Sequence, residues 1–183
     1  DIQKMYGAGG DEKPFSPVAF SLRKRLPWLH VNLLTAFSAA AVIALFQDLI
    51  ARITILAVFL PVVAGQGGNA GAQTLAVVIR GIVLREIPPR GISRLLLKEV
   101  WLGILNGLVI GAVTGLVAWL WNGNPFLGVV IALAMLVSLA IAGLAGAVIP
   151  LGMKALRRDP AQSSMILLTT ITDIVGFFTF LGF

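Results

Sequence analysis

The sequence predicts an all-α membrane protein with five transmembrane helices per subunit, and three observations carry that prediction. Of 183 residues, 58% are hydrophobic and only 12% charged, with mean hydropathy +0.95, where a soluble globular chain carries about 45–50% and about 25%. Five segments are apolar over the ~20 helical residues needed to cross a hydrocarbon core about 30 Å thick. The basic residues sit in short clusters between those segments. Despite a formal charge of +6, that placement fits membrane flanks and argues against a nucleic-acid surface. With no cysteine, there is no disulfide framework, thiol nucleophile or thiolate metal site.

Residues 1–27 read as a linker region. The charged stretch Asp1–Lys4 is no signal-peptide start, and Gly7, Gly9, Gly10, Pro14 and Pro17 among mixed charges give linker composition. The expectation is a piece cut from something longer. Residues 28–183 then form the five-helix domain. The first span is expected over Trp28–Ile50, the second over Ile53–Ile79 and the third over Glu99–Trp121. The fourth follows over Phe126–Leu151 and the fifth over Pro160–Phe183. The uncharged turn Asn122-Gly123-Asn124-Pro125 joins spans three and four, whereas Pro88-Pro89 breaks the longer loop after span two.

Orientation follows from Lys and Arg in the short loops. Arg23, Lys24 and Arg25, then Arg80, Arg85, Arg90, Arg94 and Lys98, then Lys154, Arg157 and Arg158 fall on one side, and only Arg52 on the other. The N-terminus and the basic loops are therefore expected in the cytoplasm and the C-terminus outside. Trp28, Trp101, Trp119 and Trp121 fall near span ends, as an aromatic belt does, and His30 reads as interfacial. Asp48 and Arg52 flank the outer turn and are candidates to pair. Asn32 and Asn106 are candidates for hydrogen bonds between helices. Gly103, Gly107, Gly111 and Gly115 recur every fourth residue, a spacing that lets two helix backbones approach closely. They are assigned to packing, within the subunit or between subunits, and not to ion binding.

Asp173 is the one charged residue placed well inside a span. A charge at the bilayer centre costs about 2.5–3.5 kcal/mol on insertion scales, so it normally faces a partner or a water-filled path. Thr169, Ile166 and Gln162 share its helix face, with Thr170 and Thr172 nearby. A carboxyl hydrogen-bonded to a neighbouring helix is the plain explanation; a cation site or a proton relay is the functional one. Span two carries a second anomaly, Gly65-Gln66-Gly67-Gly68-Asn69-Ala70-Gly71-Ala72-Gln73-Thr74 after Pro61. Each mid-helix Gly costs about 1 kcal/mol relative to Ala, so this run is expected to loosen or break the helix and present oxygens to an ion. The plain alternative is a kink that permits close packing. Counting at 1.5 Å per residue, Gly65 lies about 18 Å and Asp173 about 15 Å from the outer surface, which puts both near the midplane. An acid beside oxygen-rich backbone suits a hard cation.

At Pro61-Val62-Val63-Ala64-Gly65-Gln66-Gly67-Gly68-Asn69-Ala70-Gly71-Ala72-Gln73, ending in Arg80-Gly81, the chain resembles the MgtE family of magnesium channels. That family's signature is a proline, a G-x-G-G-N-x-G-x-Q run, then Arg-Gly or Arg-Ala. The likeness continues at Lys98-Glu99, at Asp159-Pro160-Ala161, and at Thr170, Asp173 and Gly176. It implies a homodimer in the cell membrane with a pore on the dimer axis lined by the second and fifth helices. Asp173 of both subunits would hold a largely hydrated Mg²⁺, consistent with the reluctance of that ion to shed water. Gly65, Asn69 and Thr169 are the next candidates to line the metal site, with Asp159 at the inner entrance. The residues leave Mn²⁺, Co²⁺ and Ca²⁺ open beside Mg²⁺. The resemblance further implies cytoplasmic regulatory domains, including a tandem CBS pair, ahead of Asp1-Ile2-Gln3-Lys4-Met5, and an amphipathic helix for which part of Phe15–Arg25 is the candidate. Met165-Ile166 departs from the proline many relatives carry near the start of the fifth helix, which bears on the shape of the inner mouth. A proton-coupled divalent-metal transporter using Asp173 as relay is the second reading. A membrane enzyme is disfavoured, because one His, no Cys and one intramembrane acid supply no converging catalytic set.

Overall fold

Each of the five apolar segments forms a helix, and those of spans three and four run past both ends of their hydrophobic stretch. The computed structural model describes residue 5 and residues 11–161 and 164–183. The charged start Asp1–Lys4, the glycines 7, 9 and 10, and Gln162 lie outside the described residues. The spanning helices are α1 (Val18–Leu45), α3 (Ile55–Val83), α4 (Ile92–Asn122), α5 (Pro125–Ala155) and α6 (Ser164–Gly182), with a short outer helix α2 (Gln47–Arg52) between the first two and a 3₁₀ turn over Pro89–Gly91 before α4. Among the described residues these five helices are long and apolar enough to cross a membrane, and the chain is all-α.

The boundaries follow local chemistry. Pro17 stands at the start of α1, where a missing N–H costs nothing. The segment expected to hold a separate amphipathic helix is not one, because residues from Val18 onward belong to α1, which runs through Pro27. Gly123 adopts φ +71° and caps α4, its N–H donating to Trp119 O at 2.7 Å. Asn124 then opens α5, its side chain accepting from Phe126 N at 2.9 Å, with Pro125 in the first turn. Two helices are thus joined by an almost immediate reversal.

That reversal seats the glycine stripe within the subunit. A methyl group on Gly103 would fall 2.5 Å from Leu139 O, on Gly107 2.7 Å from Leu136 Cα, on Gly111 2.7 Å from Ala132 O and on Gly115 2.5 Å from Gly128 O. All four targets are backbone of α5. Gly128 and Gly143 return the favour toward Gly115 and Glu99 of α4, so α4 and α5 touch backbone to backbone, which hydrocarbon solvent rewards through packing alone. Helix α5 is the hub. It packs against α4, α3 and α6, and the core around Phe59, Val63, Ile131, Met135 and Phe180 lies among α3, α5 and α6. Helix α1 buries only Ala39 and lies against α6.

Helix α3 corrects an expectation. The run from Gly65 to Thr74 is continuous helix, with neither a break nor unwound backbone. Gly65 and Gly68 have open space around them, whereas Gly67 and Gly71 are occupied in packing: a methyl on Gly71 would meet Leu168 Cδ1 at 2.7 Å, and Gly146 of α5 approaches Gly71 O and Thr74. Tertiary contact repays the helix propensity these glycines lack, and the packing alternative describes them best. Asp48 and Arg52 form no ion pair within 4 Å among the described residues.

Candidate functional site

Helices α3 and α6 lie side by side in a register that Gly67 facing Thr172, Gly71 facing Leu168 and Gly176 facing Val63 define. The same antiparallel register sets Asp173 level with Gln66, one residue from Gly65. The two positions therefore stand at a similar level, as the sequence count expected, although that count assumed a broken helix.

Asp173 is half-buried on α6. It lines a cavity of about 680 Å³ whose walls are α1, through Arg25, Trp28, Asn32 and Thr35, and α6, through Thr169, Thr170 and Asp173. Among the described residues no hydrogen bond or ion pair reaches its carboxylate, so the explanation by a neighbouring helix does not hold here. The hydroxyls of Thr169 and Thr170 both donate to Ile166 O, at 3.1 and 2.6 Å. Having given their protons to backbone, these oxygens are left as acceptors near the acid. Arg25 cannot easily neutralise Asp173, because its guanidinium is held by Glu12 through Nε at 3.1 Å and Nη2 at 2.5 Å. The cavity thus combines one free carboxylate with hydroxyl and amide oxygens, a donor set for a hard cation or its water shell.

The structure brings Thr169 and Asp173 together and leaves the other candidates elsewhere. Gly65 and Asn69 are exposed on α3, on a face shared with Gln66 and Gln73, and they do not line the Asp173 cavity. Asp159 is exposed in the loop before α6, its Oδ1 accepting from Ala161 N at 3.0 Å, a turn-forming role. Among the described residues no group of three or more His, Asp or Glu gathers. Among the described residues Asn32 and Asn106 make no hydrogen bond between helices; Asn32 instead lines the cavity. Sequence reasoning missed the α1 wall, whose contribution follows from tertiary packing. It also missed Glu99, taken as a span boundary, which is only 2% exposed and accepts from Thr74 Oγ1 at 2.9 Å. The signal was its place beyond the Arg90–Arg94 cluster, on the Gly103 side of α4.

Residues 60–183 match the MgtE family, described as a divalent cation transporter. The chain belongs to the MgtE family. It is 35% identical over all its residues to the magnesium transporter MgtE of Bacillus subtilis, covering 40% of that protein. It is 39% identical over 96% of its length to the magnesium transporter MgtE of Enterococcus faecalis, covering 39% of it. The identity is 33% with that of Thermus thermophilus, of which it covers 41%. The chain spans about two fifths of the length of these relatives. It holds the exposed Gln66-Asn69-Gln73 face and the Asp173 cavity on two helices that pack directly on each other.

Proposed function

We propose that this domain conducts Mg²⁺ across the cell membrane, with the hydrated ion held by Asp173 of two subunits on a dimer axis. The observation that carries the reading is a carboxylate at mid-span with no partner among the described residues, facing a cavity of about 680 Å³. Family membership and the magnesium transporters it resembles name the ion. The exposed polar face of α3 supports the dimer, since Gln66, Asn69 and Gln73 cannot stand against lipid at the depth of Asp173 without cost. A second copy would pool two acids at one site, and Gly65 and Asn69 would line the path beside Thr169. The basic loops support a cytoplasmic N-terminus and Asp159 and an outer C-terminus. Regulatory domains on the cytoplasmic side would act through the segment before α1, and Mn²⁺, Co²⁺ and Ca²⁺ are the ions to test beside Mg²⁺.

The test is Mg²⁺ flux into proteoliposomes without a proton gradient, wild type beside Asp173→Ala. Wild-type flux that falls about tenfold or more in the variant, or that loses its preference among divalent ions, supports a conductive path through α6. Flux that requires a proton gradient overturns the channel in favour of a coupled carrier.

A further inference from the structure

We propose that a pocket between α3 and α4 is a second site for a hydrated divalent cation, with the Glu99 carboxylate as its anion and the Lys98 ammonium as the group the ion displaces. The proposal rests on the transport reading for the class of ion, and on its own geometry for the site. Glu99 is 2% exposed, and a carboxylate so placed in a spanning helix is costly and kept only with partners. Each of its oxygens has one: Thr74 Oγ1 donates to Oε2 at 2.9 Å and Lys98 Nζ to Oε1 at 2.7 Å. A carboxylate accepts about four hydrogen bonds, so capacity is left over. Among the described residues the Thr74 contact is the one side-chain hydrogen bond joining two spanning helices.

Lys98 is an imperfect partner. Adjacent residues on a helix diverge by about 100°, so its stem must bend back to reach Glu99, and the side chain is 58% exposed. It is a tethered monovalent cation at the rim of the pocket and can swing off it. Beside the pair lies a space of about 190 Å³, room for about six waters at ~30 Å³ each, which suits a small divalent ion that keeps its water shell. Gln73 and Asn106 add amide oxygens to its wall, all donors that a hard cation prefers. Gln73 also stands on the exposed polar face of α3 with Gln66 and Asn69. The pocket therefore opens beside that face, as a holding position next to it.

A purely structural clasp of Thr74, Glu99 and Lys98 predicts something different, and Lys98 separates the two. In a clasp, removing the ammonium leaves a buried charge and weakens the fold; in a cation site, it removes the competitor and tightens binding. The experiment is Mn²⁺ binding to the purified protein, located by anomalous diffraction and titrated in an Asp173→Ala background. Expected are an anomalous peak between α3 and α4, Mn²⁺ binding about tenfold weaker in Glu99→Gln, and binding tighter by a similar factor in Lys98→Met. Thr74→Ser, which keeps the hydroxyl, binds as the parent. A peak at Asp173 alone in the otherwise unmodified protein, or Lys98→Met binding no better than the parent, overturns this site and leaves the transport reading standing. Peaks at neither acid overturn both.

Discussion

At the scale of single residues, the membrane domain separates side chains that bear on ions from those that only pack. Ser138 is the instructive case. Its Oγ is buried without a hydrogen-bond partner among the described residues, wedged where Gly67 and Gly176 pass closest to α5. An unpaired buried hydroxyl forfeits its solvation, so Ser138→Ala is expected to be neutral or stabilising. Ser138→Val, by contrast, adds methyls facing Gly67 and is expected to cost about 1–3 kcal/mol; thermal unfolding in detergent reads both. Glu12 makes the opposite kind of contribution. The Arg25 guanidinium, and after it the Ser21 hydroxyl, hold its carboxyl below the ordinary carboxylate range. A depressed value means stability present at neutral pH and lost as pH falls through the folded-state value. The difference in unfolding temperature between wild type and Glu12→Gln is therefore expected to shrink on acidification; a difference independent of pH contradicts it. Asp173 and Thr169 were readable from sequence, because a charge in an apolar run and a threonine four residues earlier need no tertiary knowledge. Glu99 was not, since the hydrocarbon count started α4 seven residues late and left this acid looking interfacial.

At the scale of elements, hydropathy located all five helices but misjudged their ends, and the physical reason is the same throughout. Apolar content reports where lipid begins, whereas helix ends are set by caps and prolines such as Pro17, Gly123 and Asn124. The glycine run of α3 misled for a related reason. Intrinsic propensity is a weak prior that packing overrides, and Gly67 and Gly71 are fixed by Thr172 and Leu168 across the α3–α6 seam. The α4 stripe permits a direct check. Gly107→Leu places a side chain 2.7 Å from Leu136 Cα, where backbone cannot retreat as a side chain can. The expected outcome is a loss of about 1–3 kcal/mol, seen as a lowered unfolding temperature. Gly152→Leu, with open space around it, is expected to leave that temperature unchanged or raise it slightly, since Leu is the better helix former.

At the scale of the whole molecule, the single chain leaves polar surface uncovered on a spanning helix. Among the described residues helix α1 is covered along a seam with α6, and α3 shows amides on a face no other helix shields. Native mass spectrometry of the purified protein is expected to find a dimer that Asn69→Leu perturbs; a monomer at all concentrations runs against the shared site. None of this arrangement was legible in the sequence beyond family likeness, because periodicity tells which face is polar and not what covers it. The pairing of α4 with α5 has a different kind of consequence. The broadest helix contact in the molecule lies between two segments separated by a turn of two residues, so it closes a very short loop. Contacts this local form ahead of distant ones, and the hairpin can assemble while α6 is still unmade. Damage to the glycine stripe should then appear as slow or failed biogenesis and low yield, whereas damage at Asp173 should leave the amount of protein untouched.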